Sequence, residues 1–154
     1  MKSVDEYAAA YRDTVQREVP DEQVLAVGVL SRPGSLGNAL LMQVSGLAAL
    51  LKNRAGKQAS GDLPQNVVVA ATPTRVLCFA FKPKMSSIAL KGLVRTLPRQ
   101  GLRVGLTTSN LATRVTFFLA DGSSFELDSN RNLGQYQRLN DSLLRELGAT
   151  ELTP

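Results

Sequence analysis

The chain has 154 residues, 44% of them apolar, with one cysteine, no histidine and a formal net charge of +5. That length suits one domain that buries a core without disulfides, and a lone cysteine, Cys78, excludes an intrachain bridge and fits a reducing, cytoplasmic setting. Absence of histidine removes the commonest general base and metal ligand, and with a single cysteine no zinc site is expected; no cofactor is expected either.

The charge is unevenly distributed. Residues 1–25 carry three positive and six negative side chains, residues 26–115 carry twelve positive and one negative, and residues 116–154 carry three positive and six negative. A basic middle between acidic ends fits terminal helices that neutralise a basic sheet, or a surface for an anionic partner. Nucleic acid is not expected, because stacking aromatics accompany charge at such surfaces, and this chain has no tryptophan and 5% aromatic residues.

The N-terminal stretch MKSVDEYAAAYRDTVQ lacks the apolar core of a signal peptide. Ser3 and Glu6 match a capping box, and Val4, Tyr7, Ala8, Tyr11 and Val15 recur at helical spacing before Pro20, predicting a helix over 1–20. Val24–Leu30 reads as a strand. Residues 31–65 form an apolar, glycine-containing insert in which Leu36, Leu40, Val44, Leu47 and Leu51 share a helical stripe, followed by the basic residues Lys52, Arg54 and Lys57. The run Leu36–Leu51 is too short and too interrupted to span a bilayer.

Residues 67–71 and 76–82 predict a hairpin around Thr72-Pro73-Thr74-Arg75, since proline presets the φ of a turn. Ile88–Thr96 is a weaker strand. In Leu102–Thr107 the residues Leu102, Val104 and Leu106 point inward and Arg103 outward, and Val115, Phe117 and Leu119 continue that phase. Asp121-Gly122 is a hairpin turn signal, with Phe125 and Leu127 inward on the return strand. A last helix over 130–148 carries the stripe Tyr136, Leu139, Leu143 and Leu147, with Gly148 as its stop signal. The expected fold is mainly β with flanking helices in a single domain, residues 1–154, with a barrel over 24–128.

Seven strands and a closing helix resemble the pleckstrin-homology superfold, as found in small single-domain bacterial proteins. "NVVVAATPTRVLCFAF" is similar to that family's strand–turn–strand with a Thr-x-x-Arg turn, and "VTFFLADGSSFEL" with the leucine-striped helix is similar to its closing hairpin and cap. The resemblance implies a seven-stranded antiparallel bent barrel capped by the C-terminal helix, acting as a binding or assembly module rather than an enzyme. Here the connection after the first strand is far longer and more apolar than the basic, lipid-binding connection of eukaryotic members.

The residues offer few sites. Cys78, without a histidine partner, reads as a packed thiol. Thr72, Thr74 and Arg75 could hold an anion, although an ordinary turn with Arg75 solvated or paired to a carboxylate is the simpler reading. Gly34–Gly37 lacks the features of a phosphate loop. Glu126 and Asp128 fall on an outward strand face, and Arg95, Arg99, Arg103 and Arg114 could form a basic stripe. Apolar residues occupy both faces of residues 76–82, so one face needs cover from the first helix, from the insert, or from a second subunit. The expected partner interface is Leu36, Leu40, Val44, Leu47, Leu51, Val76, Cys78 and Phe118, serving a homo-oligomer or protein partner. The candidate anion-binding residues are Lys52, Arg54, Lys57 and Arg75, with peripheral binding to an anionic membrane as the alternative function.

Overall fold

The computed structural model describes residues 4–31, 66–83, 88–108, 112–130 and 134–152. Helix α1 (Val4–Glu18) buries Tyr11 and Val15 along one side, and Val19 follows them just past its end. The side chain of Gln16 then fastens the following turn. Its amide donates to the carbonyls of Val19 and Glu22 at 2.7 and 2.8 Å, and its oxygen accepts from the Val24 amide at 2.8 Å. The strands are β1 (Ala26–Ser31), β2 (Asn66–Ala71), β3 (Arg75–Pro83), β4 (Ile88–Pro98), β5 (Arg103–Thr108), β6 (Ala112–Phe118) and β7 (Ser124–Asn130). Helix α2 (Gly134–Glu146) and a two-residue strand β8 (Thr150–Glu151) follow.

All eight strands belong to one sheet, in the order β4-β3-β2-β1-β7-β6-β5-β8. Pairing is antiparallel except for β8, which runs parallel to β5. The short turn 99–102 joins β4 to β5, which stand six strand positions apart. Flat strands would put those two about 29 Å from each other at ~4.8 Å per step, beyond the roughly 18 Å that such a link can reach. The sheet therefore curls over on itself. One core lies between its halves: Ala26, Leu30, Val67, Val69, Val76, Cys78 and Leu97 from the first half face Val104, Val115, Phe117, Phe125 and Leu127 from the second. Phe117 and Phe125, a cross-strand pair, stack with centroids 4.7 Å apart.

The curl does not close. Among the described residues β4 and β8 are unpaired on their outer sides, so the sheet is open and mixed, where a seven-stranded antiparallel barrel was expected. Its centre is also thin. Between β1 and β7 the register holds only Ser31 opposite Asp128. Helix α2 crosses this seam, sending Leu143 and Leu144 into the interior core and Leu139 into the cluster beneath α1. Asn140 stands in for the missing strand: Val29 donates to its Oδ1 at 2.7 Å, and its Nδ2 donates to the Val29 carbonyl and to Ser129 Oγ, both at 2.9 Å. The close approach needs a glycine on β1, because a Cβ on Gly28 would lie 2.7 Å from Asn140 Oδ1 and 2.8 Å from Leu143 Cδ2.

The second face of β1–β4 is covered by α1. Tyr11, Val15 and Val19 pack with Val27, Val68, Ala70, Leu77, Phe79 and Ile88. Of the three covers expected for one face of residues 76–82, the first helix supplies it, and the expectation that Val76 and Cys78 face a partner is corrected. Val76 and Cys78 are fully buried in the interior core, and Leu77 and Phe79 lie under α1. Period-two apolarity on both faces says that each is covered; it does not say which one looks inward. At the end of α2, Gly148 takes a φ of +68°, and the Ala149 and Gly148 amides donate to the carbonyls of Leu144 and Arg145 at 3.0 and 3.1 Å, closing the helix as the sequence predicts.

Candidate functional site

The Thr72–Arg75 turn is a structural knot. Thr72 Oγ1 accepts from the Arg75 amide at 2.9 Å, holding the turn from within. Arg75 Nε donates to Glu22 Oε1 at 2.6 Å and Nη2 donates to Asp21 Oδ2 at 2.8 Å, tying the turn to the segment that follows α1. Thr74 donates to the other oxygen of Glu22 at 2.7 Å. These bonds, the one from Thr74 first, hold the Glu22 carboxyl below the ordinary carboxylate value. On the far side, Arg99 donates to the Thr72 carbonyl and to the Glu146 carbonyl at the end of α2, both at 2.9 Å, a favourable place for a cation at a helix C-terminus. Arg75 is thus spent on two carboxylates.

The other candidates are dispersed. Leu36, Leu40, Val44, Leu47, Leu51, Lys52, Arg54 and Lys57 lie outside the described residues. Cys78 sits between β2 and β4, fully buried, and desolvation pushes its thiol up to about 12. Such a group is protonated at neutral pH and unreactive. Val76 is equally enclosed, so neither residue offers a surface to a partner. Phe118 is half-buried on the outer face of β6.

The arginines do not make a stripe. Arg95 lies over the Phe125 ring, 4.5 Å from its centroid, in cation–π contact. Arg99 joins the helix end, and Arg103 is exposed. Arg114 bridges Asp128 through Nε and Glu126 through Nη1, the latter at 3.1 Å. Burial opposes its charge, but the two carboxylates outweigh that and raise its pKa above the ordinary value.

Two surface features among the described residues bear on function. One is the edge strand β4. Leu93 and Val94 are 52% and 42% exposed, two of three exposed large apolar side chains among the described residues. Beside them a groove of about 180 Å³ runs between β4 and the end of α1, lined by Val19, Leu77, Phe79, Leu90 and Leu93 and by the charged Glu18, Asp21 and Arg75. The ladder with β3 skips Lys91 and Val94, and Gly92, at φ +139°, takes the backbone between them through a conformation other residues avoid. The other feature is a hollow of about 540 Å³ on the outer face of β5–β7, containing Arg114, Thr116, Phe118, Glu126, Asp128 and Leu152.

Sequence reasoning missed Asn140, Gln16 and Leu152. Asn140 on a predicted amphipathic helix carries a faint signal, being a polar residue directly after Leu139 on the buried side, but its partner Val29 is far away in sequence. Among the described residues no helix is long and apolar enough to cross a membrane, and no group of three acidic, cysteine or histidine side chains could hold a metal ion. No family model, curated protein or solved structure matches the chain.

Proposed function

We propose that the chain is a non-enzymatic interaction and assembly module of pleckstrin-homology-like fold, self-associating through the edge of β4 that no described strand pairs, together with the apolar stretch Leu36–Leu51. The observation that carries this reading is the adjacent pair Leu93 and Val94, exposed in the middle of an eleven-residue edge strand beside a groove of mixed apolar and charged lining. Unpaired strand edges with apolar side chains are templates for another strand. The fold assignment is supported by the antiparallel order of the seven longer strands and by a helix seated over the interior after the last of them. The non-enzymatic part is supported by how the reactive groups are spent: Cys78 is desolvated, Arg75 is held by Asp21 and Glu22, and Glu126 and Asp128 are held by Arg114.

Light scattering over a concentration series tests the reading. The expected mass exceeds that of a single chain and falls in Leu93→Lys and Val94→Lys, because charge on an edge strand blocks pairing. A single-chain mass at every concentration overturns self-association.

A further inference from the structure

The hollow on the outer face of β5–β7 has the size of a small-ligand site, for which about 300–1,000 Å³ is usual. Strand register builds it row by row. Gly105, Thr116 and Glu126 stand side by side, with Thr107, Arg114 and Asp128 in the next row. Gly105 leaves a gap that Leu152 fills, since a Cβ there would lie 2.6 Å from the Leu152 side chain. Leu152 and Phe118 form the apolar walls.

Two observations point to a ligand and to its charge. Thr116 is 8% exposed, it lines the hollow, and its hydroxyl makes no hydrogen bond among the described residues. Buried hydroxyls are rarely left so, and one that faces a cavity calls for a polar group from outside the chain. Among the described residues the charges in the hollow are one guanidinium and two carboxylates, and both acids meet Arg114. An anion would have to displace one of them. Glu126 engages Arg114 through Oε2 alone, which leaves Oε1 as an acceptor next to the Thr116 hydroxyl in register. A purely apolar ligand would leave both without a partner.

We propose that this hollow binds a cationic head on an aliphatic stem, the chemistry of a lysine or arginine side chain. The head donates to the Glu126 carboxylate and the Thr116 hydroxyl, and the stem lies against Phe118 and Leu152, as long basic side chains do on apolar surfaces. The site lies on a different face from β4 and stands independently of self-association.

Titration of the full-length ¹⁵N-labelled chain tests it, using hexylamine and Nα-acetyl-lysine methylamide as probes and hexanoate as the control of opposite charge. The expected result is a saturable shift of the Gly105, Thr116, Phe118 and Glu126 amides with both amines and none with hexanoate. Affinity falls about tenfold in Thr116→Val and in Glu126→Gln, the loss expected for one hydrogen bond to a charged group. Thr116→Val removes an unmatched polar atom without changing shape, so its melting temperature holds or rises, and its lost binding is not a folding defect. A shift of the same amides on concentrating the protein without probe assigns the cation to a second copy of the chain. Absence of a saturable shift, an equal response to hexanoate, or undiminished binding in Thr116→Val overturns the proposal.

Discussion

In β2 and β3 every residue from Val67 to Ala71 and from Val76 to Phe79 is buried, whereas in β6 and β7 the core takes Val115, Phe117, Phe125 and Leu127 and leaves Arg114, Phe118, Ser124 and Glu126 partly in solvent. Both regions belong to one curled sheet over one interior core. The difference is that α1 covers the outer face of the first half and no described element covers that of the second apart from Leu152. A continuous apolar run and a clean alternation are the signatures of two covered faces and one. The two exceptions in the second half, Thr116 and Asp128, are buried polar residues on the outer side, and both lie in the hollow.

Phe117 and Phe118 make the sharpest test of that contrast, being adjacent in sequence and on opposite faces. Phe117→Ala, in the core and against Phe125, is expected to cost about 3–5 kcal/mol in urea unfolding. Phe118→Ala, half-exposed, should cost about 1 kcal/mol or less. Similar losses at the two positions would break the comparison.

Asn140→Leu probes the seam where the halves meet. It leaves the Val29 amide and carbonyl without their partner, at a cost of about 2–3 kcal/mol. A neutral result would mean that the β1–β7 seam is held by packing alone.

The smallest effect concerns the clasp between α1 and the first half. The Glu22 carboxyl titrates below its ordinary value of 4.5 in the folded state. Its contribution is therefore complete above that value and is lost as pH falls through the lower folded one. Urea midpoints measured from neutral pH to below 4.5 should fall, and Glu22→Gln should reduce the drop. An unchanged drop in that variant would show that other carboxylates, Asp121 among them, account for it.

Much of the fold was legible in the chain. The alternation through Val115, Phe117, Phe125 and Leu127 placed the second half correctly because one solvated face stamps a period of two on the residues. The Leu139 and Leu143 stripe placed α2, and the Thr-Pro-Thr-Arg turn was read as a turn. The inward side of Val76 and Cys78 was not legible, because both faces of that strand are apolar. β8 was not legible either, since two residues carry no periodicity. The hollow was hidden for a third reason: Thr116, Glu126 and Leu152 come from three separate segments, and the absence of a side chain at Gly105 means something only once Leu152 lies above it.

By itself the sequence determined the types and order of the two described helices and the seven longer strands, since these follow from local periodicity, turn chemistry and caps. Tertiary structure alone decided which apolar face turned inward, which carboxylate each arginine met, and that Asn140 would replace a strand at the seam. Those outcomes depend on register and on the curl of the sheet, which bring together groups tens of residues apart, and no local pattern encodes such distances.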